Sequence, residues 1–316
     1  LAKILEIAAL RSMLALSTLA KKTAGETTMI SNQEIELYRR SGYLFVPEVF
    51  SPAEITELRA ATDEFVERSR EVSEHNEVYD LEDDHTATRP RVRRIKTPHL
   101  HHPAYAAAAG HEKVVDILGR LIGPGLRFDT GKLNLKEADG GAAVEWHQDW
   151  AFYPHTNDDL AAVGIMLDDV DAENGPLMVI PGSHRGPVYD HHSGGAFCGA
   201  IDVEKHAIAL DQAVPVLGPA GSISIHHCRT LHGSVPNSSL RPRRLLLFQY
   251  LAADAFPLLG VPDIAEFDSR LLNGQATLEP RLADVPVRMP LPPAPHQGSI
   301  FENQRSAANS FLAKTG

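Results

Sequence analysis

The sequence predicts a mainly β fold with flanking helices, a sandwich or barrel and not a parallel α/β sheet. Two observations carry that expectation. From about residue 126 onward, short β-type runs are separated by Gly, Pro, Asn and Asp: LRFDTGKLNLK, AAVEWHQDW, AAVGIMLDDV, PLMVIPGSH, AVPVLG, GSISIHHC and RRLLLFQYLA. The helix-start signals, by contrast, fall in the opening third, and no internal repeat interrupts this order.

Taken in order, ILEIAALRSMLALSTLAKK near the start is apolar, but Glu6 and Arg11 interrupt it and it is too short to span a bilayer. Residues 1–28 are therefore read as an extension of uncertain status, ahead of a single domain over 29–316. SNQE at 31–34 is a capping box, in which Ser31 accepts from an amide three residues on while Glu34 reaches back. GYLFVPEVF reads as a strand and turn. SPAE at 51–54 repeats the box with Pro52 at the first helical position, and Ile55, Leu58, Ala61 and Phe65 follow at amphipathic spacing. A single helix is expected over about 104–122, stopped by Gly123-Pro124-Gly125. RPRVRRIK, Arg89 to Lys96, reads as an alternating strand with a solvated face. Residues 185–212 form a lid-like insertion between strands. From about Met289 a proline-rich tail runs extended before a short helix.

Hydrophobic residues make up 43% and charged residues 22% of 316, an ordinary globular composition. The formal charge of −11 argues against nucleic acid or an anionic membrane as partner and leaves a small-molecule substrate. Nothing in the pattern sets an oligomeric state. Cys198 and Cys228 cannot form a disulfide framework or a zinc knuckle, so a cytoplasmic setting is the default.

The chemistry concentrates in WHQDW. On a strand His147 and Asp149 project to one face and Gln148 to the other; alone, the pair equally fits a polar strand face. Downstream, SISIHHCRTLHGSVPNSSLRPRRLLLFQY brings His226, His227 and His232, followed by arginines. Two histidines and one carboxylate arranged facially leave three positions on an octahedral Fe(II), which suits a bidentate co-substrate plus dioxygen. An arginine one strand on supplies the planar fork that a carboxylate needs.

With WHQDWAFYPHTNDDL, ENGPLMVIPGSHRG and HHCRTLHGSVPNSSLRPRR in this order, and GYLFVPEVFSPAEI ahead of them, the chain resembles the phytanoyl-CoA dioxygenase family of Fe(II)/2-oxoglutarate-dependent oxygenases over roughly 40–255. The resemblance implies a double-stranded β-helix, a cupin-like jelly roll. It implies His147, Asp149 and His232 as iron ligands and catalytic centre, and Arg243, Ser234 and Lys96 as contacts to 2-oxoglutarate. Arg244 should point the opposite way from Arg243. Gln148, Phe152, Tyr153 and His227 are candidates for touching substrate or fixing a ligand's orientation, while His226 is read as structural. Trp146 and Trp150 are expected to pack away from the metal, and Arg229 to form a surface ion pair. Where the family often carries an aromatic residue this chain has Gly164 and Ile165, so the pocket wall there differs.

Because Asp149 is present, where related halogenases carry a small residue, the resemblance implies a hydroxylase. Dioxygen and 2-oxoglutarate would be consumed, succinate and carbon dioxide released, and an unactivated C–H bond of a small organic substrate such as a natural-product intermediate oxidised. Three alternatives stay open: an acyl-CoA hydroxylase of the phytanoyl-CoA type, a cupin-type metalloenzyme without 2-oxoglutarate, and a non-catalytic jelly-roll binding protein.

Overall fold

Both capping boxes form. Ser31 Oγ accepts from the Glu34 amide at 3.2 Å while the Glu34 carboxylate accepts from the Ser31 amide at 2.6 Å, and Ser51 with Glu54 repeats the pattern. In the computed structural model, which describes residues 30–138, 140–294 and 299–312, these boxes open α1 (Asn32–Ser41) and α2 (Pro52–Arg68). The stretch 1–28 lies outside the described residues. Gly42 ends α1 at φ 76°, and a Cβ there would sit 2.3 Å from His184 Nδ1, so both the turn and the close approach require glycine.

The chain then runs through β1 (Tyr43–Val46), β2 (Tyr79–Leu81) and β3 (Val92–Lys96). The single helix expected over 104–122 is in fact two, α3 (Pro103–Ala109) and α4 (Glu112–Leu121). Gly110 weakens the helix at the junction. His111 is drawn out of it, its Nε2 3.0 Å from Glu54 and its ring 4.3 Å from Phe50.

The strands that follow are β4 (Leu126–Lys136), β5 (Val144–His147), β6 (Leu160–Met166), β7 (Leu177–Val179), β8 (His192–Ser193), β9 (Ala196–Phe197), β10 (Val214–Val216), β11 (Ile223–His227), β12 (His232–Ser234) and β13 (Arg243–Ala252). Helix α5 (Ile264–Ser269), strand β14 (Leu271–Asn273) and helix α6 (Ile300–Gln304) complete the described chain. The large sheet has the order β1-β11-β6-β13-β4-β3-β2, with β14 added beside β4, and the smaller one the order β10-β7-β12-β5. Pairing is antiparallel throughout, and the fold is a jelly roll.

Alternation sorts the large sheet's two faces. Leu133, Leu135, Leu246, Phe248 and Tyr250 join the core formed with α1 to α4, whereas Lys132, Asn134, Arg243, Leu245, Leu247 and Gln249 line cavities on the inner side. Away from the polar end, Met166, Val170, Leu177, Val179, Val216 and Leu245 form an apolar plug between the sheets. The solvated face expected for RPRVRRIK is not found: Val92 to Ile95 are buried, and the Phe301 ring lies 5.4 and 5.2 Å from the Arg93 and Arg94 guanidinium groups. Arg93 is bound by Glu82 at 2.7 Å and Arg94 reaches Asn134 on the inner side. The 185–212 segment carries the β8–β9 hairpin, and its His191 touches the backbone at Gln148.

Phe248 is fully buried with its ring 5.5 Å from that of Phe128. Phe248→Ala should lower unfolding stability by about 3–5 kcal/mol, read as a lower urea midpoint at unchanged slope.

Candidate active site

Strand β12 pairs with β5 so that His232 and His147 are register partners, and their rings lie 4.0 Å apart. Each donates from Nδ1 to the carbonyl two residues back: His147 to Glu145 at 2.8 Å, His232 to Thr230 at 2.9 Å. With Nδ1 so engaged, each Nε2 keeps its lone pair and faces the same point.

The strand expected through Asp149 stops at His147, and Asp149 begins a short 3₁₀ turn, Asp149–Ala151. That turn is pinned by the Trp150 amide, which donates to the Cys228 carbonyl at 2.9 Å. Asp149 Oδ1 then lies 3.8 Å from the Nε2 of both His147 and His232. These three residues alone form a cluster with metal-ligand geometry among the described residues. Two neutral imidazole nitrogens and one carboxylate oxygen, all buried, suit a divalent iron. Burial pushes the His147 imidazole down to about 4 and holds His232 well below its ordinary value, so both are unprotonated near neutrality. Burial would raise the Asp149 carboxyl, but the neighbouring His226 and the Lys132 ammonium outweigh it and hold the group below its ordinary value.

The cavity over this triad has a volume of about 50 Å³ and is walled by Lys132, Asn134, Ser234, Arg243, Leu247 and Ile300, among others. Arg243 is 2% exposed; its Nη2 donates to the Gly175 carbonyl at 2.6 Å, while Nε and Nη1 have no partner. A buried guanidinium edge without an acceptor calls for an anion, and it fits a carboxylate of 2-oxoglutarate. Gly175 sits at φ 83°, where a Cβ would meet Lys136 and the Val235 carbonyl. Arg244 points to the other face and binds Asp168 at 2.7 Å.

Other expected residues are distributed differently. Lys96 lines a neighbouring chamber of about 290 Å³, but its ammonium is held by Asp80 at 2.7 Å and by the Asn76 carbonyl at 2.9 Å. Gln148 is fully buried and does not line the cavity; its amide ties together Pro187, Tyr189 and Arg229. Phe152 packs between His147 and Phe197, whereas Tyr153 borders the larger chamber and bonds Gln249. Trp146 and Trp150 pack in two separate apolar clusters. Arg229 pairs with Asp158 at 3.0 Å, but with its side chain 10% exposed this is a largely buried pair and not a surface one.

The neighbouring histidines exchange roles. His227 accepts from the Arg229 amide and lies beside Asp158 and His184, away from the cavity. His226, read as structural, faces it, with Nε2 3.4 Å from Asp149 Oδ2. Alternation on β11 explains the exchange: only one of two adjacent residues can face inward. Sequence reasoning also passed over Lys132, Asn134 and Lys136, although the K-x-N-x-K spacing of GKLNLK puts all three on one strand face. The ammonium of Lys132 has no hydrogen-bond or ion-pair partner among the described residues, and burial lowers it to about 8.

Residues 38–245 match the phytanoyl-CoA dioxygenase (PhyH) family. A probable alpha-ketoglutarate-dependent hypophosphite dioxygenase from Stutzerimonas stutzeri is 39% identical over 287 residues, covering 90% of this chain and all of that protein. The L-proline trans-4-hydroxylase of Streptomyces griseoviridis is 33% identical over 234 residues, 67% of this chain and 83% of the relative. Among solved structures, the non-heme alpha-ketoglutarate-dependent carbocyclase SnoK from nogalamycin biosynthesis superposes with a TM-score of 0.63 at 28% identity, covering 80% of this chain and 96% of its own.

Several buried histidines share one electrostatic consequence. Burial lowers His147, His155 and His227 to about 4 and His191 to about 3, from an ordinary value near 6.5. Between those limits the unfolded chain binds more protons, so this stability is complete above about pH 6.5 and is lost as the pH falls toward 4. The Tm of chelator-treated protein should therefore drop steeply over that interval and stay nearly flat from pH 7 to 8.

Proposed function

The chain belongs to the phytanoyl-CoA dioxygenase family and is an Fe(II)/2-oxoglutarate-dependent dioxygenase, and we propose that its substrate is a small oxyanion, with hypophosphite the leading candidate. When bound, Fe(II) with 2-oxoglutarate and dioxygen supplies an oxidative decarboxylation that yields succinate and carbon dioxide and leaves one oxygen atom for the substrate. For hypophosphite, that atom entering a P–H bond gives phosphite, and the atoms balance. The observation that carries the reading is the unpartnered Lys132 ammonium in the cavity wall beside the triad. The full-length relationship to a probable hypophosphite dioxygenase supports it.

In this reading His147, Asp149 and His232 hold the iron, and Arg243 grips the distal carboxylate of 2-oxoglutarate with Ser234 beside it in the same wall. Lys132 is free for a different anion. It pairs with Leu247, four residues along β13 from Arg243, a backbone separation of about 13 Å, which lets the two cations take separate anions. The Nη2 of Arg94, buried without a partner on the same inner side, adds positive charge to the chamber that meets the cavity at Lys132, Leu247 and Gln249. Ile300, Val144, Leu177 and Leu245 exclude water from the rest of the wall. Cavities of about 50 and 290 Å³ favour a small substrate over an acyl-CoA. A small amino acid is the second reading, favoured by the proline hydroxylase relative; its carboxylate would take the place of the oxyanion at Lys132. Two free, buried cysteines fit a cytoplasmic protein.

Anaerobic protein loaded with Fe(II) and 2-oxoglutarate, then given oxygen and hypophosphite, should form phosphite and succinate in equal amounts. Succinate unchanged by hypophosphite but raised by L-proline would transfer the assignment to the second reading. Arg243→Ala should raise the KM for 2-oxoglutarate at least tenfold and leave the KM for the oxyanion nearly unchanged. Lys132→Met should do the reverse.

A further inference from the structure

The two oxygens of Asp149 face different neighbours. Oδ1 looks toward the Nε2 atoms of His147 and His232, at 3.8 Å each, while Oδ2 looks toward the Nε2 of His226, at 3.4 Å. His226 is 2% exposed, its ring 4.3 Å from that of His232, and neither of its nitrogens has a hydrogen-bond partner. It reaches this place because β11 pairs with β6 at His226↔Ala162, and the small Ala162 leaves the inner side of that rung open.

A carboxylate with both oxygens free can bind a metal through one or through both. The second mode would occupy one of the three positions that the bidentate co-substrate and dioxygen require. From this geometry we infer that His226 is a positioning residue: its Nε2–H donates to Asp149 Oδ2 and restricts the carboxylate to one metal bond, through Oδ1. The inference rests on the iron-site reading above. The closing distance needed is a few tenths of an ångström, on the order of the difference between 3.4 Å and an ordinary N–H···O bond. The two candidate ligand histidines do not offer this donor. His147 and His232 have spent their N–H on backbone carbonyls, whereas the Tyr153 hydroxyl, which accepts from Gln249, keeps its own proton to share with Asp149 beside the His226 donor. Since Nδ1 of His226 has no acceptor among the described residues, Asp149 Oδ2 is the group that places the proton on Nε2.

The test uses Co(II) titrated into the metal-free full-length protein, a readout that needs neither turnover nor substrate. His226→Leu keeps the volume and removes the donor; His226→Gln keeps an N–H at similar reach. Loss of an orienting partner behind a ligand typically weakens metal binding by about 10–100-fold, so His226→Leu should raise the Co(II) Kd by about tenfold or more, while His226→Gln stays within about threefold of wild type. Should His226→Leu fail to fold by far-UV circular dichroism, His226→Asn, polar but too short, takes its place with the same expectation. Unchanged affinity in the variant that lacks the donor would overturn the inference, as would equal weakening in it and in His226→Gln. A visible Co(II) spectrum that loses a nitrogen ligand in His226→Leu would overturn it too, since His226 would then be a ligand itself. Wild-type protein that fails to bind Co(II) would instead reject the iron-site reading on which the inference stands.

Discussion

Backbone pairing between β5 and β12 places His147 opposite His232, and with each Nδ1 committed to the carbonyl two residues earlier, both rings can turn only one nitrogen inward. That constraint precedes any metal. It fixes which atoms are available, their charge state and their spacing before an ion arrives, and the turn holding Asp149 needs only to deliver a carboxylate to a point already defined. The same device, Nδ1 bonded to the carbonyl two residues back, recurs at His155 and His191. The Nε2 of His191 accepts from the amide of Gln148, the residue between two of the candidate ligands. The insertion over 185–212 therefore acts on the site through the backbone and not through contact with the cavity.

The interior of the roll carries a charge pattern opposite to that of the chain as a whole. An acidic protein of net charge −11 holds Arg94, Lys132, Lys136 and Arg243 on the inner face of one sheet. Burial lowers each of them: Arg94 and Arg243 to about 10, Lys132 to about 8, and Lys136 well below its ordinary value. Their desolvation is a cost that anionic ligands would offset, so affinity for small anions and tolerance of buried cations are two views of one arrangement. Net charge describes the outer surface and says nothing of this.

The fold class and both capping boxes were legible because each depends on local chemistry, whereas the cluster of His147, Asp149 and His232 was legible only through the family resemblance of the motifs in order, since the strand ends at His147 and spacing alone left the pair ambiguous. What was not legible depended on which strand lies beside which. The basic run of β3 read as half-solvated because alternation cannot reveal that Glu82 would hold Arg93 and that Phe301 of α6 would cover both guanidinium groups. The helix over 104–122 read as continuous because its break needs Glu54 and Phe50, some sixty residues earlier, to draw out His111. His226 and His227 could not be ranked from a pair of adjacent letters: the register of β11 against β6 decides between them, and it gives the cavity to His226. Lys132 was recoverable in principle, since its alternation with Asn134 and Lys136 is as regular as the one that singled out His147 and Asp149.

The last described stretch of the chain touches the strand that bears His147. Gln304 accepts from the Glu145 amide, the Glu145 carboxylate takes the amides of Phe311 and Leu312 at 3.0 and 2.9 Å, and Ile300 closes the cavity wall. Glu145 also supplies the carbonyl that orients His147. During synthesis, then, residues 30–294 can emerge and pair their strands while one wall of the reaction chamber is still inside the ribosome. A nascent chain at that stage would have its ligands in register but its cavity open to water, and competence to exclude solvent would arrive only with residues 299–312.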